Sequence, residues 1–383
     1  MKRSLIALAI GTFALGISEF GMMGILGSVA EGVGVDIVRA GHLISAYSIG
    51  VAVGAPMLLL FHSIPLKRVM LMLATLILIG NTLAALSPNF ITLLCARFIS
   101  GLPHGAYFGA GAIVCSRIAS KGAGAQAVAV MVGGMTIANV VGVPLATFFS
   151  NLLNWRIAFA GVAFFGLLAV IFIRMWVPFL TPESGSGMKG QFKFLSKPAP
   201  WLIYTGVFCG QAGVYCWLSY VEPIMTQVTH FSASSMTLIM MLAGMGMVIG
   251  NAVAGRLADR YNAALITAIF ASSLLIIMPA VYMCASLKVP SLILMFIATA
   301  TLFGIGGPLQ YLIVKFAKGG EMLGGAGIQI AFNVSNAISA ALGGAAINHG
   351  LGLASPALVG IPFAAIGAAA LFILYHRMVK VEA

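Results

Sequence analysis

Acidic side chains are scarce in this chain of 383 residues: eight Asp and Glu stand against 20 Lys and Arg, and charged residues of all kinds make up 7%. A soluble domain carries about a quarter. With 61% hydrophobic residues and a mean hydropathy of +1.08, the sequence holds too little polar material to cover a surface in water. A water-soluble fold is excluded, and the solvent the sequence suits is lipid.

The sequence also lacks the short signatures of catalysis. No Gly-Lys dipeptide occurs, which excludes a P-loop; HExxH, GxSxG and CxxC are missing too, and the glycine-rich stretch 304–307 lies inside an apolar run rather than after a strand. An enzyme reading has no residues to stand on. The five cysteines, Cys95, Cys115, Cys209, Cys216 and Cys284, sit in apolar segments without metal-ligand spacing to a histidine, so neither a disulfide nor zinc is expected. A net charge of +12 would suggest nucleic acid in a soluble protein. Here the basic residues come in ones and twos between apolar stretches, with no aromatic-interleaved stripe, and read as loop charge.

Apolar runs long enough to cross the hydrocarbon core, about 20 residues each, number twelve. They cover 5–27, 41–61, 69–87, 91–115, 125–149, 155–177, 200–222, 234–256, 263–285, 290–314, 324–347 and 354–376. The first, at 23 residues, is too long for a secretory h-region and is expected to remain as a span. Between these spans the Lys and Arg residues divide unequally. The N-terminus, the even-numbered loops and the tail hold 16, the other side holds Arg39, Arg156 and Lys288, and Arg97 is left inside a span. Cytoplasmic loops carry the excess, so both termini are expected in the cytoplasm. One miscounted helix would invert every later loop and erase the pattern.

The longest polar interval follows span six, which divides the chain into a six-helix unit at 1–177, a cytoplasmic linker at 178–199 and a second unit at 200–383. The halves echo each other: Gly50 and Gly54 correspond to Gly246 and Gly250 at an offset of 196 residues. Duplicated units of this kind bind substrate near the midplane and alternate access by rocking. Small residues four apart also let two helices pack closely without any duplication.

Intramembrane charge is costly and marks function by default. Glu19 lies about 12 Å below the outer end of span one and Arg97 about 9 Å into span four, at 1.5 Å per residue, so the two meet if these spans adjoin. Glu19 is the first choice for a proton site with Arg97 as its partner; a static pair that locks two helices is the competing reading. His104, seven residues after Arg97, shares its helix face, and imidazole can relay protons near neutral pH or simply bond between helices. Pro103 just before it predicts a kink.

Uncharged polar residues cluster by face in the second half. Gln329, Asn333 and Asn336 follow i, i+4, i+7 in span eleven, and Gln211, Tyr215, Ser219 and Glu222 follow i, i+4, i+8, i+11 in span seven. With Tyr107, Asn139 and Trp217 they form a candidate cavity for a polyol or a mixed amphipathic ligand rather than an ion. Bonds between helices would account for part of the set.

These features resemble the major facilitator superfamily over the whole chain, and within it the drug:proton antiporter type 1 group. Gly255-Arg256-Leu257-Ala258-Asp259-Arg260 after span eight resembles the family's cytoplasmic loop motif, which implies a gate at Gly255, Asp259 and Arg260. Arg97 with Gly101 and Gly105 resembles the RxxxG motif, whose arginine the family associates with proton coupling. Residues 138–145, ANVVGVPL, are similar to the antiporter motif, with Gly142 and Pro144 as its kink and Asn139 where a proline is usual. The stretches SEFGMMGILG, SGLPHGAYFGAGAIV and AKGGEMLGGAGIQIAFN are similar to arabinose-induced exporters of enteric bacteria. In the first half Leu59 and Ser63 stand where Gly255 and Asp259 stand in the second, so the gate motif is one-sided.

The resemblance implies an all-α fold of 12 transmembrane helices in two pseudosymmetric bundles, placed in the bacterial inner membrane; with both halves of a carrier in one chain, function as a monomer is expected. It implies proton-coupled efflux of sugars or sugar derivatives, driven by the proton gradient without a cofactor. Export of lipophilic cations or nucleosides is the alternative, favoured by 21 Met and 24 Phe. A membrane sensor without turnover would carry an appended soluble domain, and no stretch of this sequence reads as one.

Overall fold

A backbone in lipid must satisfy its own hydrogen bonds, and every regular element among the described residues is helical. The computed structural model describes residues 2–61, 63–120, 124–180, 193–317 and 320–379. Most of the expected linker, 181–192, lies outside the described residues.

Eleven helices among the described residues are long and apolar enough to cross a membrane. They are α1 (Lys2–Gly24), α2 (Ile37–Met57), α3 (Leu66–Leu86), α4 (Phe90–Ile118), α5 (Gln126–Leu152), α6 (Arg156–Trp176), α8 (Ala233–Arg260), α9 (Ala263–Met283), α10 (Lys288–Phe316), α11 (Leu323–Leu351) and α12 (Pro356–Arg377). Between them α7 (Pro198–Leu218) has the length of a span, but two prolines, Gln211 and its aromatic residues make it less apolar than the rest. Expected to run to residue 222, it stops at Leu218. The Ser219 N–H still closes onto the Tyr215 carbonyl at 3.1 Å, the Tyr220 N–H turns to Trp217 at 3.0 Å instead of continuing the ladder, and Glu222 sits in a separate short turn, Val221–Pro223.

The kinks have local causes. Pro103 interrupts α4 at Leu102, where one helix ends at Gly101 and the next begins. Pro144 has no N–H to return to the preceding turn, and a π-turn at Ala138–Gly142 precedes it. Side chains cap other starts: Asp36 accepts from the Arg39 N–H, Asn89 from Thr92, and Asn262 from Ala264 and Leu265.

Helix pairing repeats with a shift of six. In the first half α1 packs on α5 and α6, α2 on α4, and α3 on α4 and α6; in the second, α7 packs on α11 and α12, α8 on α10, and α9 on α10 and α12. Glycines explain one of these pairs in each half. Gly50 and Gly54 lie against the carbonyls of Phe98 and Leu102, while Gly246 and Gly250 lie against those of Phe296 and Ala300. A Cβ at any of the four would overlap backbone, so the echo of glycines is an echo of helix contacts. The two bundles meet along α2 with α11 and α5 with α8, which is again one contact and its image. Large apolar side chains such as Ile49, Leu83, Phe164 and Ile276 are exposed on the outside of this arrangement, as a lipid-facing surface requires.

Candidate functional site

A cavity of about 630 Å³ separates the bundles. It begins at Glu19 of α1 and His104 of α4 in the middle of the helices. From there it runs to Ser116, Val128 and Val314, near the ends of α4, α5 and α10 on the face that carries both chain ends. The opposite face is closed across the halves. The Gly27 N–H donates to Oε2 of Glu222 at 2.7 Å, the Ser45 hydroxyl to the Ala337 carbonyl at 2.8 Å, and the Asn151 amide to the Ala233 carbonyl at 2.8 Å. Tyr220 fills the seam between Gly41 and Gly344. The molecule is therefore open on the terminal face and shut on the other.

Glu19 and Arg97 are both buried at a common depth, yet they do not pair. Arg97 Nη1 donates to the Ser18 carbonyl at 2.8 Å and Nε reaches the Leu43 carbonyl at 3.4 Å. Its guanidinium lies 4.3 Å from the Tyr47 ring centroid and 5.6 Å from that of Phe159. The expected ion pair gives way because successive residues on a helix point about 100° apart. Ser18 turns toward α4 and α3, its hydroxyl donating to Oδ1 of Asn81 on α3 at 3.1 Å, and Glu19 turns to the cavity. Neither carboxylate oxygen of Glu19 has a hydrogen-bond partner. Its nearest basic atom is Nε2 of His104 at 3.8 Å. His104 in turn stands 2.8 Å from the Tyr47 hydroxyl through Nδ1 and stacks on Phe108 at 5.3 Å.

The far wall is amide and aromatic. Gln211, Asn251, Gln310 and Gln329 line it with Phe303 and Phe332, facing Phe108, Met131 and Met135 of the first half. Gln211 spends its Nε2 on the Leu302 carbonyl at 3.4 Å and leaves Oε1 without a partner. Along the same face of α11, Asn333 donates to the Gln329 carbonyl at 3.0 Å. Asn333 Oδ1, both polar atoms of Asn336 and the Tyr215 hydroxyl have no partner. Tyr215 meets Phe332 edge-on at 5.4 Å. Buried polar atoms are normally bonded; a row of unbonded ones on α7 and α11, continuing beyond Gln211 and Gln329, is a layer suited to the donors and acceptors of a ligand.

Of the residues expected at the cavity, Gln211 and Gln329 line it, Tyr215, Asn333 and Asn336 lie outside its lining, and three more pack elsewhere. Tyr107 is wedged between α1 and α4, its hydroxyl donating to the Leu8 carbonyl at 3.3 Å and its ring covering Gly11. Trp217 is buried in the core of the second bundle. Asn139 belongs to the π-turn of α5, and its carbonyl touches Gly244 where α5 crosses α8. Each is a polar or aromatic residue in an apolar run, and its spacing carries no sign of which neighbour takes it up. Tyr47, Phe108, Asn251 and Gln310 were not among the residues expected at the site. Asn251 and Gln310 carried a usable signal, being amides inside apolar spans.

The residues expected to form a gate lie at the end of α8. Gly255 has open space around it, and Asp259 and Arg260 are exposed with no ion pair among the described residues. Arg260 lies over the Tyr261 ring at 5.5 Å. Gly142 abuts Phe13 and Ile17 of α1, and Pro144 is buried in the turn after it.

The family profile described as Major Facilitator Superfamily matches residues 8–328. The chain belongs to this superfamily. Among major facilitator proteins it is 44% identical to the transporter AraJ of Escherichia coli (strain K12) over 98% of this chain and 96% of that one. The inner membrane transport protein YdhP of Escherichia coli (strain K12) is 35% identical over 91% and 90%. A relative from Helicobacter pylori named as a sugar efflux transporter is 27% identical over 97% and 94%. In fold the chain is similar to a bacterial homologue of the human lysosomal transporter Spinster in an inward-facing, unoccupied conformation, with a TM-score of 0.74 and 16% identity over 98% of this chain and 97% of that one. As a major facilitator protein, this chain is a multi-pass secondary transporter of a small molecule and not an enzyme.

Proposed function

We propose that the chain is a proton-coupled exporter of sugars or sugar derivatives that works by alternating access, as a monomer, with both termini in the cytoplasm. The observation that carries this reading is the head of the cavity: Glu19, a buried carboxylate with no hydrogen-bond partner, opposite a wall of uncharged amides. A carboxylate there is available either to a proton or to a hydroxyl of the ligand. Gln211, Asn251, Gln310 and Gln329 offer paired donors and acceptors of the kind that polyols use. The Helicobacter pylori relative's name points to the same substrate class.

The open terminal face is the cytoplasmic, loading state. A ligand drives the change to the other state only through its differential affinity for the two. Proton and ligand meet at Glu19, so uptake of one favours release of the other. Arg97 contributes by pinning the Ser18 carbonyl and with it the turn that aims Glu19, and the Gly255–Arg260 loop closes the cytoplasmic side when the bundles rock. Gly142 and Pro144 keep α5 bent against α1 in both states.

Phe108, Phe303, Phe332, Met131 and Met135 line the same cavity and favour a second reading, export of lipophilic cations. Inverted vesicles energised to a steady pH gradient separate the two. Pentoses, hexoses, nucleosides and lipophilic cations are added in turn to wild type and Glu19→Gln. Sugars are expected to collapse the gradient in wild type only. Collapse by cations alone would transfer the assignment to the second reading, and undiminished proton exchange in Glu19→Gln would remove the role of Glu19.

A further inference from the structure

Tyr47 of α2 backs His104 on the side away from the cavity. Its hydroxyl lies 2.8 Å from Nδ1 of His104 and 3.5 Å from the Leu15 carbonyl, and its ring carries the Arg97 guanidinium at 4.3 Å. The other ring nitrogen of His104, Nε2, lies 3.8 Å from Oε2 of Glu19. All four side chains are buried. An oxygen thus stands beside each nitrogen of the imidazole, the Tyr47 hydroxyl within hydrogen-bond range and the Glu19 carboxylate just outside it, and the proton on a neutral ring has two places to be.

The geometry discriminates between them. With the proton on Nδ1, His104 would donate to Tyr47. The Tyr47 proton would then have the Leu15 carbonyl, at the limit of hydrogen-bond range, or the Ser18 hydroxyl, which itself donates to Asn81, and with Glu19 ionised the bare lone pair of Nε2 would face a carboxylate oxygen. With the proton on Nε2, Tyr47 donates across the short 2.8 Å contact and an N–H faces Glu19. At 3.8 Å that N–H orients the carboxylate without saturating it.

We infer that the Tyr47 hydroxyl donates to Nδ1 of His104 and fixes the tautomer whose Nε2–H faces Glu19, which makes Tyr47 the positioning residue of the proton site. Its role as such rests on the proposal that Glu19 exchanges protons. The hydrogen bond a histidine makes at one nitrogen sets what the other presents. Here the residue that does so belongs to α2, a helix that also forms part of the seam with the second bundle.

Nitrogen-15 spectra of the full chain in lipid nanodiscs, labelled at histidine and recorded at neutral pH, read the tautomer without any transported solute. The His104 signals are assigned by their loss in His104→Gln. The expected spectrum has Nε2 protonated and Nδ1 as a bare acceptor, with a tautomer ratio of roughly ten or more, the factor a hydrogen bond of ordinary strength supplies. Tyr47→Phe keeps the ring beneath Arg97 and removes only the hydroxyl, so the ratio is expected to fall by about tenfold. Protonation at Nδ1 in wild type, protonation at both nitrogens, or an unchanged ratio in Tyr47→Phe overturns the inference. If Tyr47→Phe does not fold, the wild-type spectrum alone decides. The expected tautomer combined with normal proton exchange in Glu19→Gln would sink the functional reading and leave the tautomer assignment standing. The reverse combination would sink only Tyr47.

Discussion

Arg97 and Glu19 differ in what a substitution removes, although both are buried charges at one depth. Arg97 is held by the Ser18 carbonyl at 2.8 Å and by the rings of Tyr47 and Phe159, contacts that need a planar guanidinium. Arg97→Lys is therefore expected to lower stability by about 2–3 kcal/mol, since it keeps the charge and strands the carbonyl. Glu19 has no hydrogen bond to lose, and Glu19→Gln is expected to leave stability within about 0.5 kcal/mol of wild type. Thermal unfolding in detergent compares the two, and equal losses would mean that Glu19 has a partner after all. Counting residues gave the depth of this pair from the sequence, because rise per residue is fixed. It did not give direction, because one residue of phase puts Ser18 rather than Glu19 in front of Arg97. Tyr107 teaches the same lesson: the hydroxyl that suits a ligand suits the Leu8 carbonyl equally well.

Helix contacts were more legible than side-chain contacts, and the glycines show why. A spacing of four on one face is a property of the helix itself, so Gly50 with Gly54 and Gly246 with Gly250 identified the faces that pack on α4 and α10 before any partner was known. Gly54 faces the Leu102 carbonyl and Gly250 the Ala300 carbonyl, backbone that cannot swing aside as a side chain can. Gly54→Ala and Gly250→Ala are each expected to cost about 1–3 kcal/mol from overpacking, with similar values because the two sites are images of each other. Apart from its own turn of helix, no atom among the described residues lies within 4 Å of the place a methyl group on Gly255 would occupy, so Gly255→Ala is expected to be neutral or slightly stabilising through helix propensity. Urea titration of the three variants checks the order, and a costly Gly255→Ala would show that the gate motif is already engaged in this state. The end of α7 was less legible. The polar row from Gln211 to Glu222 kept helical spacing beyond the helix, since nothing in a periodicity registers that the Tyr220 N–H turns to Trp217 and leaves the ladder.

At the scale of the whole molecule the closed face depends on a carboxylate. Glu222, in the connection between α7 and α8 outside the spans, accepts the Gly27 N–H at 2.7 Å and so ties one bundle to the other. Burial pushes its carboxyl up from the ordinary value, and the Gly27 N–H pulls it partly back. Ser28, Glu31, Asp36, Thr226 and Gln227 face the same recess of about 780 Å³, so the charges around Glu222 are acidic. When the bundles part on this side, Glu222 enters water and returns to the ordinary carboxylate range. The closed form therefore binds the proton more tightly than the open one. Its advantage is fully present below the ordinary carboxylate value and is lost as pH rises through the elevated one. Spin labels at Leu86 and Leu287, exposed near the same face on opposite halves, report the separation. The short distance is expected to dominate at low pH, with a longer one growing in above the ordinary carboxylate range. In Glu222→Gln, neutral at every pH and still able to accept from Gly27, this component of the pH dependence is expected to vanish. Glu31 and Asp36 titrate nearby, so the decisive comparison is between the two profiles: if Glu222→Gln follows wild type across the range, another group closes this face.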